Sequence, residues 1–125
     1  MLTQNDELLK KEQISAEELK LLMEKYTVIV IDVRTPEEYF SYHINNAINL
    51  PYQTLSDTSL TEHIKIHNAE FIIVVTYCNS GGRGGKSFTL FSKSNDNPKI
   101  LIKNLTHGIN EWIDKGYPIQ ENSTT

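Results

Sequence analysis

The only cysteine of the chain stands where several features that activate a thiol come together. Cys78 follows the apolar segment Phe71–Val75 and opens the glycine-rich stretch Cys78–Gly85, CNSGGRGG. Glycines allow a tight turn whose backbone N–H groups point at one spot, and a following helix adds the positive end of its dipole. Arg83 supplies a cation five positions after the cysteine. Such surroundings favour the thiolate, so the pattern predicts that Cys78 is a nucleophile and that the loop holds an anion bound to its sulfur.

Two other interpretations use the same residues. A lone cysteine is often a small buried side chain, but such a residue has no need of an anion-binding loop. The octapeptide Ser80–Ser87, SGGRGGKS, comes close to the phosphate-binding pattern GxxxxGK[ST]. It has serine for the first glycine, and Lys103 ends a later predicted strand where a magnesium-binding carboxylate is expected. We therefore favour the reactive cysteine.

A second group of candidates follows another apolar run. Asp32 and Arg34 come directly after Val28–Ile31, and Glu38 lies four positions beyond Arg34. Action of Asp32 and Arg34 on a substrate is one interpretation. We favour a structural role, in which Arg34 pairs with Glu38 and Asp32 accepts hydrogen bonds from nearby N–H groups.

The sequence offers one pair of residues with the spacing of metal ligands. His63 and His67 are four positions apart, which places them on one face of a helix. No third ligand is evident, so a helix surface is the preferred interpretation. We expect neither a metal nor a cofactor.

The composition is that of an ordinary acidic globular chain. Its 125 residues include 12 Lys and Arg against 16 Asp and Glu, giving a net charge of −4. This balance argues against nucleic acid as a partner, because phosphate neutralisation needs a cationic surface. No apolar run is long enough for a membrane span, and the N-terminus lacks the apolar core of a signal peptide. We therefore expect a cytoplasmic protein without membrane contact, and the single cysteine excludes an internal disulfide.

Short helices and apolar strands alternate along the chain. Ser15–Glu18 and Thr35–Glu38 are capping boxes that predict helix starts, the second with proline at the first helical position. Helices are predicted at 15–25, from 35 onward, and at 59–67, 86–94 and 108–115, and strands at 28–31, 46–50, 71–75 and 99–103. The strands are continuously apolar, which is typical of strands buried on both faces. The sequence thus predicts an α/β fold with a parallel sheet of about five strands and helices on both faces.

The predicted strand ends bring the candidate residues to one place. Ligands of open parallel sheets bind beyond the carboxyl ends of the strands. Asp32–Arg34, Leu50–Gln53 and Tyr77–Arg83 stand at three such ends, so we expect them to meet at one edge of the sheet. We assign residues 1–14 to a flexible N-terminal segment, 15–119 to a single domain and 120–125 to a C-terminal tail.

Three segments, in the correct order, resemble the motifs of the rhodanese-like single-domain sulfurtransferases. The first carries Asp32-Val-Arg34, Glu38-Tyr39, His43-Ile44, Ala47 and Asn49-Leu-Pro51; the second is Cys78–Arg83, CNSGGR; the third is Leu105–Pro118, LTHGINEWIDKGYP. The resemblance covers roughly residues 15 to 119, nearly the whole chain.

This resemblance implies a reaction in two halves at Cys78. The thiolate takes the outer sulfur of a donor such as thiosulfate, and a thiophilic acceptor, cyanide or a thiol, then removes it from the persulfide. The resemblance makes the loop the donor site, with Arg83 at the donor's anionic group, and the loop residues are Asn79, Ser80, Gly81, Gly82 and Gly84. Because the chain has one cysteine, the acceptor, whether a small molecule or a protein, has to be a separate molecule.

Two alternatives remain within this resemblance. One is phosphatase activity, because the dual-specificity cell-cycle phosphatases are similar to rhodaneses. They have one residue more between cysteine and arginine than the four found here, so the loop length disfavours this alternative. The other alternative is a module that carries or senses sulfur without turnover. It is kept open because Gly84 replaces a Ser or Thr that is usual in the family. Tyr42 and His107 each replace a usual Gly, which bears on the shape of the pocket and the choice of donor.

Overall fold

The computed structural model describes residues 4–64 and 71–122. Its helices are α1 Gln4–Lys10, α2 Ala16–Lys25, α3 Pro36–Ser41, α4 Ser59–His63, α5 Gly82–Ser94 and α6 Gly108–Asp114, with a 3₁₀ turn at Tyr52–Thr54. Its strands are β1 Gln13–Ile14, β2 Thr27–Asp32, β3 Tyr42–Ile44, β4 Ile48–Asn49, β5 Ile72–Tyr77, β6 Ile100–Leu105 and β7 Ile119–Glu121.

Within the described residues, five strands form one parallel sheet in the order β1-β6-β5-β2-β4. β5 lies in the centre, where it pairs with β2 from Thr27↔Ile72 to Asp32↔Tyr77 and with β6 on its other side. All six residues of β5 are buried, which explains why its sequence is apolar without alternation. The predicted α/β fold with a parallel sheet is confirmed.

A hydrophobic core lies on each face of this sheet. On one face Trp112 of α6 belongs to the same cluster as Val75 of β5, and on the other Phe91 of α5 belongs with Val74. Neighbouring residues of β5 serve opposite cores because the side chains of a strand alternate between its faces. The prediction of helices on both faces is therefore confirmed, and Trp112 is a core residue.

Both predicted capping boxes are present. Ser15 Oγ accepts from Glu18 N at 3.1 Å, and Ser15 N donates to Glu18 Oε1 at 2.9 Å. Thr35 and Glu38 exchange the same two hydrogen bonds at 3.2 and 2.9 Å. Pro36 begins α3, where its missing N–H removes no helical hydrogen bond. The second box fixes the orientation of Glu38 relative to the start of α3.

The segment 1–14, for which the sequence predicts flexibility, contains α1 and β1. Strand β1 extends the sheet beside β6, and the buried Lys103 of β6 is bound to α1. Lys103 Nζ donates to the carbonyl oxygens of Leu8 at 3.2 Å and Leu9 at 2.7 Å, and also to that of Lys11. Burial lowers the pKa of Lys103 to about 8. These contacts attach α1 to the sheet through a residue far away in the sequence.

Four further elements differ from the prediction, two helices in their extent and two strands in being present at all. Helix α5 begins at Gly82, four residues before the predicted start at Lys86. Strands β3 and β7 form a two-stranded antiparallel sheet that the sequence does not predict, and β7 begins at residue 119, the predicted end of the domain. The predicted helix 59–67 is present as α4 up to residue 63, and residues 65–67 lie outside the described ranges.

Candidate active site

The candidate residues meet at the edge formed by the carboxyl ends of the parallel strands. In the register of the sheet, Asp32 of β2 lies beside Tyr77 of β5. The chain beyond these strands remains hydrogen-bonded, since Val33 N donates to Tyr77 O at 3.0 Å and Leu50 N to Asp32 O at 3.0 Å. The predicted meeting of three strand ends is confirmed, and Cys78 starts a loop at the centre of this edge.

The thiol of Cys78 is enclosed by its own loop. Only 2% of the residue is exposed, and Sγ accepts a hydrogen bond from Gly81 N at 3.0 Å. Gly81 has a φ of +125°, and a Cβ on it would lie 2.3 Å from the carbonyl oxygen of Thr106. A larger residue is excluded there, so the glycine allows the loop to turn its N–H toward the sulfur.

Helix α6 fixes this loop from the other side. Ile109 N donates to Cys78 O at 2.9 Å, and Asn110 N donates to Asn79 O at 3.1 Å. Gly108 has a φ of +64°, and a Cβ on it would lie 2.3 Å from Asn79 O. The first turn of α6 therefore contacts the loop backbone directly. The position of Gly108 in the third motif is the only sequence signal of this role.

Arg83 is bound by a carboxylate. Its Nη1 donates to Glu38 Oε1 at 2.8 Å and its Nη2 to Oε2 at 3.2 Å, which makes a two-pronged ion pair between α5 and α3. This arginine holds the pKa of Glu38 far below its ordinary value. The predicted pairing of Arg34 with Glu38 is wrong, because Glu38 turns toward the loop and Arg34 has another partner.

That partner is Asp32, in the interior of the protein. Arg34 Nη2 donates to Asp32 Oδ2 at 2.8 Å and Nε to Oδ1 at 3.0 Å, and both side chains are buried. Asp32 Oδ1 also accepts from Arg34 N at 2.9 Å, so the predicted acceptance of a nearby N–H by Asp32 is confirmed. Tyr77 OH donates to Asp32 Oδ2 at 2.7 Å. Burial and the Asp32 carboxylate raise the pKa of Tyr77 well above its ordinary value.

Asn79 connects the two ion pairs. Its Oδ1 accepts from Arg34 Nη1 at 3.1 Å, and its Nδ2 donates to Glu38 Oε2 at 2.8 Å. A continuous set of hydrogen bonds thus runs from Tyr77 at the end of β5 to Arg83 on α5. The residue directly after Cys78 is held on both sides of its amide, which fixes the start of the loop. The sequence predicts that Asn79 contacts the sulfur donor, and it carries no signal for this position between the two ion pairs.

Gly84 is needed where α5 meets the end of β5. A Cβ on Gly84 would lie 3.2 Å from both Cys78 N and the Cα of Tyr77, and 2.8 Å from the Asn104 side chain. Its carbonyl oxygen accepts from Thr76 Oγ1 at 3.0 Å. Close packing of the helix on the strand therefore explains the glycine at a position where a Ser or Thr is usual in the resembling family.

The remaining loop residues, and the residues that differ from those usual in the family, lie around the Cys78 loop. Ser80 and Gly82 are exposed, and nothing lies within 4 Å of a Cβ placed on Gly82. Tyr42 places its ring 5.0 Å from the Arg34 guanidinium, and its carbonyl oxygen accepts from that group. His107 precedes α6 without a side-chain cap. The exposure of Ser80 and Gly82 leaves one side of the loop open to solvent.

The structure gives no support to the other candidate sites. In residues 4–64 and 71–122, no group of three His, Cys, Asp or Glu side chains could hold a metal ion. His63 Nδ1 lies 3.0 Å from Ser59 O, and His67 is outside the described residues. In the phosphate-loop segment, Ser87 is buried and donates to Arg83 O inside α5. No helix in these same ranges is long and apolar enough to cross a membrane.

A family model decides what this arrangement belongs to. Residues 15–115 match the model described as Rhodanese-like domain. The chain belongs to the rhodanese-like family. The loop from Cys78 to Arg83 lies within the matched residues.

Relatives of this rhodanese-like chain include proteins named for sulfur transfer. It is 28% identical over 111 residues to the thiosulfate:glutathione sulfurtransferase of Saccharomyces cerevisiae, covering 82% of this chain and 78% of that protein. It is 37% identical over 65 residues to a probable molybdopterin-synthase adenylyltransferase of Gracilaria tenuistipitata var. liui, covering 52% of this chain and 18% of that protein. The chain spans about half or less of the length of two curated relatives that it matches.

Solved structures agree on the fold. The solution structure of a rhodanese-like domain from Anabaena sp. matches with a TM-score of 0.73 at 20% identity, covering 92% of this chain and 84% of that one. An identity this low supports the fold alone. The five-stranded parallel sheet of the described residues is thus the rhodanese-like sheet.

Proposed function

We propose that this protein transfers a sulfane sulfur from thiosulfate, or a related donor, to a thiophilic acceptor through a persulfide on Cys78. The observation that carries the proposal is the hydrogen bond from Gly81 N to Cys78 Sγ at 3.0 Å, in a loop at the carboxyl edge of a rhodanese-like sheet. A backbone donor aimed at the sulfur stabilises negative charge there without having to reorganise.

The first half of the reaction loads the cysteine. The Cys78 thiolate attacks the outer sulfur of thiosulfate and forms a new S–S bond. The bond between the two sulfur atoms of the donor breaks, and its electron pair leaves with sulfite. The product is a persulfide on Cys78 that carries the single negative charge of the original thiolate.

The second half returns the enzyme to its starting state. Cyanide attacks the terminal sulfur and leaves as thiocyanate, with the electron pair of the S–S bond returning to Cys78 Sγ. A thiolate acceptor takes the same sulfur from the protonated persulfide and leaves as a new persulfide. The chain has one cysteine, so an internal disulfide cannot release the sulfur and the acceptor comes from another molecule.

The loop residues divide into two groups in this proposal. Gly81, Ser80 and Gly82 line the open side of the loop and contact the donor through backbone N–H groups. Asn79 and Gly84 hold the loop in place through their packing and hydrogen bonds. This assignment departs from the sequence prediction, in which all five bind the donor.

Intact-protein mass after incubation with thiosulfate and removal of small molecules tests the proposal. We expect a mass gain of one sulfur atom that cyanide reverses, and no gain in Cys78→Ser, whose fold should persist because serine is of similar size. A stable sulfur adduct on Cys78→Ser, or none on the wild-type protein with any donor, would refute the assignment.

A sulfur carrier without rapid turnover is a second candidate. Two observations favour it, the 2% exposure of Cys78 and the engagement of Arg83 by Glu38. A carrier loads once and releases its sulfur only to a dedicated partner. Repeated formation of thiocyanate per molecule of protein distinguishes the enzyme from the carrier, which yields a single equivalent.

A further inference from the structure

The carboxylate of Glu38 accepts hydrogen bonds on both of its oxygens at the candidate active site. Its Oε1 accepts from Thr35 N at 2.9 Å, from Thr35 Oγ1 at 3.1 Å and from Arg83 Nη1 at 2.8 Å. Its Oε2 accepts from Asn79 Nδ2 at 2.8 Å and from Arg83 Nη2 at 3.2 Å. A carboxylate with five donors stays ionised and stays in place.

This arrangement determines the charge that an incoming donor meets. The positive charge of Arg83 interacts with Cys78, but Glu38 already neutralises it through both terminal nitrogens. With the Cys78 thiolate, these three groups add up to one negative charge. A donor sulfonate that binds Arg83 has to replace Glu38 or share the guanidinium with it.

We propose that Glu38 is a specificity-determining residue, which disfavours dianionic sulfur donors such as thiosulfate relative to monoanionic ones such as alkyl thiosulfonates. This inference rests on the proposed function. Both donor types react by the same step: Cys78 Sγ attacks the outer sulfur, and sulfite leaves in one case and a sulfinate in the other. The two reactions differ in the charge that approaches the site.

The charge dependence gives the proposal a quantitative form. Coulomb energy is proportional to the charge of the donor, so removal of the Glu38 charge should change the logarithm of kcat/KM twice as much for a dianion as for a monoanion. If Glu38→Gln raises kcat/KM for thiosulfate about tenfold, it should raise that for methanethiosulfonate about threefold. Ratios of variant to wild type cancel the unequal reactivities of the donors.

Glu38→Gln is a suitable variant because glutamine can replace glutamate in a capping box. Glu18→Gln is the matched control: Glu18 has the same capping role with Ser15 at the start of α2 and pairs with Lys11 on the surface. Persulfide formation is measured with both donors for wild type and both variants. We expect Glu18→Gln to match the wild type with each donor.

The possible results bear on the proposal in different ways. A larger gain for thiosulfate than for methanethiosulfonate in Glu38→Gln supports it. Equal gains, no change, or equal losses with both donors would overturn it, and equal losses would show that Glu38 only positions the loop. Absence of a persulfide in every protein with both donors would refute the proposed function itself.

A measurement on the wild-type protein decides the matter if Glu38→Gln does not fold. Added salt screens charges, so it should raise kcat/KM for thiosulfate more than for methanethiosulfonate at a site with one net negative charge. If Arg83 were free of Glu38, the cation and the thiolate would cancel, and salt would change the ratio of the two donors only through the weaker effect of the net charge of −4 of the whole chain. An unchanged or weakly changed ratio therefore overturns the proposal.

Discussion

Replacement of Gly108 by alanine should displace the loop that begins at Cys78 and slow persulfide formation. A Cβ on Gly108 would lie 2.3 Å from Asn79 O and 2.5 Å from Cys78 O, where an ordinary contact is 3.4 Å or longer. The loop backbone or the start of α6 would have to move by about 1 Å, and a displacement of that size at a reacting group typically costs about 100-fold in rate. The residue also has a φ of +64°, which costs an alanine about 1–2 kcal/mol.

Gly116→Ala is the control that separates the two effects. Gly116 has a φ of +76°, but nothing lies within 4 Å of a Cβ placed there. It should therefore lose about 1–2 kcal/mol of unfolding free energy and keep its rate of persulfide formation. Gly108→Ala should lose more stability than this control and about 100-fold in rate.

Urea unfolding followed by circular dichroism measures the unfolding free energy, and intact-mass kinetics with thiosulfate measure the rate of persulfide formation. Both variants are compared at equal folded fractions, so that loss of rate is not loss of folded protein. If Gly108→Ala were as stable and as fast as Gly116→Ala, the contact between α6 and the loop carbonyls would not control the loop.

Three further predictions concern the core, the N-terminus and the loop. Tyr77→Phe removes one hydrogen bond to the buried Asp32 carboxylate, which keeps those from Arg34, and leaves the backbone N–H of Ile44 in β3 without this acceptor, so urea unfolding should show a loss of about 2 kcal/mol. Lys103 has a pKa of about 8 in the folded state, against 10.5 when unfolded, so the unfolded chain binds more protons between these values. The unfolding free energy of wild type relative to Lys103→Met should therefore rise by about 2 kcal/mol from pH 8 to pH 10. One residue inserted between Cys78 and Arg83 should reduce thiosulfate turnover in a steady-state assay, because it widens the loop around the sulfur.

Each of these has a result that would contradict it. Tyr77→Phe at wild-type stability would show that the hydroxyl contributes nothing net to the buried network. If the unfolding free energy of wild type relative to Lys103→Met fell as pH rises, the carbonyl oxygens of α1 would stabilise the ammonium more than burial disfavours it. Wild-type turnover in the insertion variant would show that loop length does not set selectivity.

Local signals in the sequence are sufficient for much of the fold. The capping boxes at Ser15 and Thr35 depend on contacts over three residues, and both form as predicted. The buried central strand follows from its continuous apolar run, and the carboxyl-end rule brings Asp32 and Cys78 to one edge. These features need only neighbouring residues or the general geometry of parallel sheets.

The pairing of charges at the site was decided by tertiary structure alone. By spacing, Arg34 suits Glu38, yet Glu38 binds Arg83, which is 45 residues away, and Arg34 binds Asp32 in the interior. Which cation a carboxylate meets depends on how α3 and α5 lie across the sheet, and no local pattern contains that distance. The same holds for Asn79, whose two hydrogen bonds require both ion pairs to be in place.

The N-terminal elements illustrate the same limit. The polar residues before Ser15 have no periodicity that predicts a helix, and α1 is attached by Lys103, whose ammonium binds carbonyl oxygens more than 90 positions earlier. The sequence by itself determined the central strands of the sheet, the two capped helix starts and the cysteine at the edge of the sheet, because those follow from hydrophobic pattern and contacts within one turn. Only the tertiary structure decided the partners of Glu38 and Lys103, because each charge takes the compensating groups that the packing of distant elements brings within hydrogen-bond distance.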